Sequence, residues 1–501
     1  MNGWFDLLPQ VLLLAPLLSG ATLFLWKSAT RFRRMGAAAI QIILALLSIL
    51  GLWKAAEGNI MVTLAGSWLA PYGIVLVVDV LSAFMLAAVN LVFLATTLYG
   101  YDEEPMEAES VASLPLLFFL QTGVALTLLT GDFFNLFVSV EIMLTASYAL
   151  MVISSPRRQI YRAFSYVILS MTASFLFLLL AGAVYGFTGH LNMGAISESL
   201  SGRGNEPAVI ALGLLALLIF GLKSGVFPLY FWLPDSYPIL PAGLAALFGG
   251  ILTKVGIYVL MRLFITVFPH NLETVHVVMG VLAALTMLLG VIGAVGKETI
   301  KGVLSYHILS QTGYMIFALA LFTPQAIAAG LYFVVHNVWV KSSLFMIGGV
   351  SKRIYRTNMM KNMGGLWQVA PMAGALFFIQ AMSLAGIPPF SGFWGKYWIF
   401  AEGMRMEFWL LVFVGAVTSF LTLLSMVKIW TMVFMGPSKA VYDVSCRGLL
   451  ASSTILVIAS LSLSFGAEYA IGVSKKAGLQ LFDPSQYVEA VYSASGKGGR
   501  S

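Results

Sequence analysis

Cysteine, charge and metal-binding clusters are scarce in this sequence. One cysteine, Cys446, occurs among 501 residues, which excludes an internal disulfide and any cysteine-held metal cluster. Only 10% of the residues are charged, where a soluble domain carries about 25%. No Gly-rich phosphate loop or nucleophile–base pair is present, and His190, His270 and His276 are too scattered to share a metal. No metal, no cofactor and no covalent chemistry are therefore expected. No basic segment precedes the first apolar run, so a cleavable signal peptide is not expected. Lys27, Arg31, Arg33 and Arg34 follow that run instead.

What the chain has in abundance is apolar sequence: 59% of its residues are hydrophobic. A membrane span needs about 20 apolar residues. About 14 runs qualify, near 7–26, 36–55, 74–100, 113–130, 132–153, 163–187, 207–232, 242–264, 275–295, 303–322, 325–350, 369–401, 407–435 and 449–472. The fold class is an all-α polytopic membrane protein. The net charge of +7 does not point to nucleic acid, because the basic residues cluster in short loops such as Arg157, Arg158 and Arg162, or Lys352, Arg353, Arg356 and Lys361. That is the positive-inside pattern. It places the N-terminus outside, in a cell inner (plasma) membrane, with the lipid bilayer as the chain's solvent.

Between the spans, MVTLAGSWLAPYG in the loop 57–73 could form a small hairpin, and 189–206 a short surface helix. Asp79 falls at the outer end of span 3, facing water or a loop backbone. The acidic loop 101–112, with Asp102, Glu103, Glu104, Glu107 and Glu109, reads as a solvated face. Asp132 suits the start of span 5. The tail 474–501 should lie outside. Spans 7 and 12 are broken, by Pro228 and Pro234 in the first and by Pro388 and Pro389 in the second, since proline removes a backbone donor. The order of features suggests 1–112 as N-terminal spans 1–3, a first block at 113–264, a second at 265–435, and span 14 with the tail at 436–501. Five spans per block, an odd number, would invert the second block relative to the first, an arrangement typical of transporters.

Charged and titratable residues within spans are the candidates for function, because each is costly at membrane depth. Glu141 lies in span 5, and Lys223 in span 7 is its natural partner; a static ion pair is the alternative reading. Lys254 has long apolar runs on both sides, and burial moves a lysine toward exchanging protons near neutral pH. Tyr258, one turn on, could continue a hydrated chain. His307 and Gln311 share a face of span 10. Asn337 and Lys341 share a face of span 11, whereas His336 is about 140° round from Lys341. Lys396 follows the break in span 12, with snorkelling outward as its alternative, and Glu402 reads as solvated near the outer surface.

The stretches TGDFFNLFVSVEIMLTASYAL, KSGVFPLYFWLPDSYPILPAGLAALFGGILTKVGIYVLMR, LSYHILSQTGYM and AGIPPFSGFWGK resemble the antiporter-like subunit family shared by respiratory complex I, membrane-bound hydrogenases and Mrp cation/proton antiporters. The resemblance covers about residues 70–435 and is strongest to the D subunit of Mrp antiporters. It implies 14 helices, two inverted five-helix repeats and a polar axis at mid-membrane. It further implies that Glu141, Lys223, Lys254, His336, Lys341 and Lys396 carry protons. The position of Asn337 often holds a second histidine in that branch of the family, and an amide cannot titrate. Expected partners are H+, Na+ and the other subunits of a hetero-oligomeric antiporter. No dense carboxylate site for Na+ is visible, so a sodium path would involve a neighbouring subunit. The alternatives are a proton-pumping subunit of a redox complex and a passive scaffold whose lysines are ion-pair locks.

Overall fold

The computed structural model describes residues 7–25, 30–103, 112–154, 161–438, 446–494 and 496. Lys27, Glu104, Glu107, Glu109, Arg157 and Arg158 lie outside these residues. Helices α1 (Leu8–Leu25) and α2 (Thr30–Ala56) lead into an antiparallel hairpin, β1 (Met61–Leu64) against β2 (Val75–Val78), with Met61 opposite Val78. The return strand lies beyond the stretch expected to form the hairpin and takes four residues from the predicted start of span 3. A VLVV run suits a strand as well as a helix. The helix start is fixed one residue later, where Asp79 and Ser82 form a reciprocal capping box.

The main body follows as α3 (Val80–Tyr99), α4 (Ser113–Leu129), α5 (Phe133–Ser154), α6 (Tyr161–Thr188), α7 (Met193–Leu200), α8 (Pro207–Ser224) and the short α9 (Trp232–Ser236). Next come α10 (Ala242–Leu247) and α11 (Thr253–Arg262), made continuous by a π-helical turn at Phe248–Leu252 and extended by another at Leu263–Val267. Then come α12 (Glu273–Val295), α13 (Ile300–Leu321), α14 (Pro324–Tyr355), α15 (Leu366–Val369), α16 (Pro371–Ala385), α17 (Ser391–Arg405) and α18 (Trp409–Ile429). The chain closes with α19 (Arg447–Phe465), α20 (Ala467–Phe482) and α21 (Pro484–Ser493).

Among the described residues, 11 helices are long and apolar enough to cross a membrane, and α4 and α16 are shorter apolar helices. Two layers follow from burial. The helices α3, α10–α11 and α14 are almost wholly enclosed, whereas α1, α2, α6 and α18 turn much of their surface outward. Most of the fully buried lysines and histidines sit on the enclosed helices and on α13 beside them. A charge that must lie at membrane depth is tolerated where protein, not lipid, surrounds it.

One loop assignment changes. The acidic loop is not wholly a solvated face: the half-buried Glu103 accepts N–H bonds from Ala242 (2.5 Å) and Gly243 (3.1 Å), capping the start of α10. Glu103→Ala is expected to lower stability by about 1 kcal/mol, the scale of a lost N-cap. Glu103→Gln, which keeps an acceptor, should lose less. Thermal melts of the purified protein decide this, and an alanine variant that melts like wild type removes the capping role. The tail, too, is tied to the body. The chain turns at Gly466 into α20, where Lys476 Nζ donates to the Ala56 carbonyl (2.7 Å). Gln480 accepts from the Val80 N–H (3.1 Å), and Tyr487 of α21 is buried.

Several local arrangements occur twice, 167 positions apart. Backbone bridges join Asp132 to Asn192 and Thr299 to Met359. The Asp132 carboxylate accepts from the N–H of Asn135 and the Thr299 hydroxyl from that of Gly302. Gly123 lies against the backbone of Met143 as Gly290 does against Ser310, each so close that a Cβ would clash. The correspondence then shifts to 161 positions. Gly225 (φ 76°) ends α8 three residues before Pro228, and Gly386 (φ 89°) ends α16 three residues before Pro389. The missing six residues fall in the loop, where the two turns of α7 are matched by a single 3-10 turn at Met360–Asn362.

Candidate functional site

Each of the two helix breaks has a buried lysine beside it, held in a different way. Lys223 stands in the last turn of α8. Lys396 stands on α17 but folds back, donating to the carbonyls of Leu384 and Ala385 at 3.0 Å each. The Lys396 ammonium thus meets the C-terminal end of the half-helix before its break. Carbonyls there lack intrahelical donors and the helix dipole is negative. Lys396 is 3% exposed and lies 5.0 Å from the Tyr314 ring, so it does not snorkel outward. Pro228, Pro388 and Pro389 lie in the connections, and Pro234 lies inside the short helix α9.

The expected direct couple between Glu141 and Lys223 is not formed. Among the described residues Lys223 makes no ion pair; its Nζ donates to Ser174 Oγ at 3.2 Å. The packing order explains this, because α8 packs on α6 and α6 on α5. The ammonium therefore meets a hydroxyl of α6 before the carboxylate of α5. Glu141 keeps one carboxylate oxygen buried without a hydrogen-bond partner. Ser174 is one of three serines in an apolar helix, and nothing in the sequence sets it apart for this role.

Lys254 is 0% exposed. Its Nζ donates to the Gly249 carbonyl (2.8 Å) and to Thr253 Oγ1 (3.3 Å). Gly249 lies five residues back, within the π-helical turn, where the wider winding loosens the ladder of carbonyls. Tyr258 does not continue from Lys254. Its hydroxyl donates to the Leu128 carbonyl (2.7 Å) and receives Arg262 Nη2 (3.3 Å). Arg262 in turn forms a two-pronged pair with Asp79, at 2.6 and 2.8 Å. Asp79, expected to face water or a loop backbone, is 1% exposed. Sequence reasoning missed Arg262, although an arginine at the face that positive-inside leaves poor in cations is itself a signal.

In the second half His307 Nε2 meets Ser425 Oγ at 2.5 Å, and His336 Nδ1 meets Ser391 Oγ at 2.8 Å. The Ser391 hydroxyl also reaches Ser383 (3.1 Å) and Ser460 (3.3 Å). Lys341 Nζ approaches the Leu304 carbonyl at 3.5 Å. Asn337 donates to the Phe333 carbonyl (2.9 Å), and Gln311 to Ser310 Oγ (3.2 Å). Several buried acceptors or ring atoms here have no partner: Gln311 Oε1, His336 Nε2, Asn337 Oδ1 and both side-chain polar atoms of Gln380. Each such group costs about 1–3 kcal/mol, and hydration of the seam would offset that cost. Gln380 was not singled out in the sequence. Glu402 is not solvated: it is 6% exposed and accepts from Thr323 Oγ1 (2.5 Å) and Arg405 Nη2 (2.5 Å).

A family model described as NADH:quinone oxidoreductase/Mrp antiporter, TM, matches residues 130–422. The chain is 37% identical over 482 residues to the D subunit of the Na(+)/H(+) antiporter of Alkalihalophilus pseudofirmus, covering 96% of this chain and 98% of that one. It is 36% identical over 499 residues to the protein of the same name in Bacillus subtilis, covering 98% and 99%. Among solved structures, a chain of the Mrp complex from Dietzia sp. DQ12-45-1b superposes with a TM-score of 0.92 at 28% identity, covering 98% of this chain and 99% of that one. A chain of respiratory complex I from Thermus thermophilus superposes at 0.82 with 21% identity, covering 94% and 99%, a likeness of fold alone.

Proposed function

The chain belongs to the NADH:quinone oxidoreductase/Mrp antiporter family, and from that membership we propose that it is the proton-translocating D-type subunit of a multisubunit Na+/H+ antiporter. It works beside partner subunits in the plasma membrane, with its N-terminus outside. Its 14 spans include two inverted blocks, 113–264 and 265–435, flanked by 1–112 and 436–501. The paired bridges, caps and glycine crossings support the two blocks.

One observation carries the mechanism. Lys223, Lys254, Lys341 and Lys396 are each at most 9% exposed, and none forms an ion pair among the described residues; they donate to carbonyls and hydroxyls instead. A carbonyl or hydroxyl accepts a bond from an amine as it does from an ammonium. A proton can therefore leave without stranding a buried carboxylate. Protons enter near Glu141 and pass Lys223, Lys254, His336 and Lys341 to Lys396. Repulsion between successive ammonium groups couples one step to the next, and the gradient supplies about 2.3 kcal/mol per charge per 100 mV. His307, Gln311 and Asn337 are the buried polar neighbours of this path, Tyr258 stands outside it, and the Na+ route involves a partner subunit.

The test is Na+/H+ exchange in vesicles carrying the whole complex, with assembly followed by native gel. Lys223→Ala and Glu141→Ala are each expected to slow exchange by about a hundredfold, the scale on which positioned proton-transfer groups act, with assembly intact. Exchange at the wild-type rate in both variants would remove the proton path from this chain.

A further inference from the structure

A cavity of about 160 Å³ lies where the two blocks meet, on the face that carries the basic loops. Arg162 at the start of α6, Lys301 in the first turn of α13 and Lys352 near the end of α14 all line it, with Thr299, Thr357 and Asn358 between them. Three cations from three separate helices thus converge on one small space. The acid Glu103 interacts with Lys301 and Lys352, but its two oxygens already accept the amides of Ala242 and Gly243. It balances one positive charge at most.

Lys301 is the built part of the site. It is 7% exposed, and its ammonium is held by the Leu240 carbonyl, so its position beside the cavity is fixed. Thr299 caps α13 by accepting the Gly302 N–H, which leaves the Lys301 N–H in the first turn without an intrahelical partner. Cationic side chains combined with a helix N-terminus select a compact oxyanion with several acceptor oxygens. The volume is below the roughly 300–1,000 Å³ of pockets that take whole small molecules, so a single group fits. Arg162 and Lys352 are exposed, so the cavity opens to the surface on the face that carries the basic loops.

We propose that this cavity binds one phosphate group, from either an anionic phospholipid headgroup or inorganic phosphate, and that the bound anion joins the two blocks at this face. The assignment is independent of proton transfer and does not require it.

The experiment uses the full complex purified in neutral detergent and incubated separately with phosphatidylglycerol, phosphatidylcholine or inorganic phosphate, then examined by native mass spectrometry. Arg162→Gln/Lys352→Gln is the principal variant, because both side chains are exposed and the fold does not depend on them. Lys301→Met is the second, with its assembly checked first. Wild type is expected to retain one more phosphatidylglycerol than the double variant, whose retention should be about thirtyfold weaker for two lost cations. Retention of inorganic phosphate in place of lipid, lost in the same variant, supports the same site with a free anion. No retained phosphate group in wild type, or equal retention in wild type and double variant, overturns the proposal. Preference for phosphatidylcholine over phosphatidylglycerol overturns it as well, since charge would then not be what is recognised.

Discussion

Lys254→Met is expected to abolish Na+/H+ exchange while leaving the complex at least as stable as wild type. The two effects have opposite physical origins. Lys254 is completely enclosed, and its ammonium has a backbone carbonyl and a threonine hydroxyl for partners but no counter-charge among the described residues. Burying an ion without a counter-ion costs several kcal/mol. Methionine fills a similar volume without that cost, so removing the charge should not weaken packing. On the proposed path the central carrier is then lost, and exchange should fall by about a hundredfold or more. Vesicle exchange and thermal melts of the same preparation would be read together. A variant that exchanges normally, or one that loses exchange only because the complex falls apart, contradicts this account.

The second large effect belongs to Asp79 and Arg262. The pair is two-pronged, both residues are almost wholly enclosed, and Arg262 is further covered by the rings of Tyr258 and Tyr487. Arg262→Met leaves a buried carboxylate with the Ser82 cap but no counter-charge and should cost about 3–5 kcal/mol, the scale for breaking one partner of such a pair. Asp79→Leu should cost a similar amount for the mirror-image reason. The double variant should recover most of the loss, because two apolar groups need no counter-charge. A double-mutant cycle on thermal stability measures the coupling directly. Losses that simply add would mean that the two charges are solvated independently. The pair joins the end of α11, the helix extending from Lys254, to the start of α3 and to the C-terminal helix α21, so its loss should also loosen the tail.

The resemblance and the buried lysines were both readable because they rest on local facts: an apolar run, a proline, a charge where charge is expensive. Contacts between helices were harder to read. Glu141 and Lys223 are opposite charges that interact through space, yet they form no ion pair and Ser174 of α6 takes the ammonium's bond. Tyr258 sits one turn from Lys254 but points into the Asp79–Arg262 network. Glu402 and Glu103, both read as solvated, are held by Thr323 and Arg405 and by the start of α10.

Residence in a membrane, the rough course of the spans, the places where two of them break and the set of buried groups able to hold a proton were all legible before any folding was considered. Those properties depend on the cost of placing a residue type in hydrocarbon, which is a property of short stretches. Only the folded chain reveals which partner each buried group finds: Ser174 for Lys223, a π-turn carbonyl for Lys254, Ser391 for His336, Asp79 for Arg262. Pairing depends on the order and rotation in which helices pack. Helices that are apolar on every side carry little record of either in their sequence.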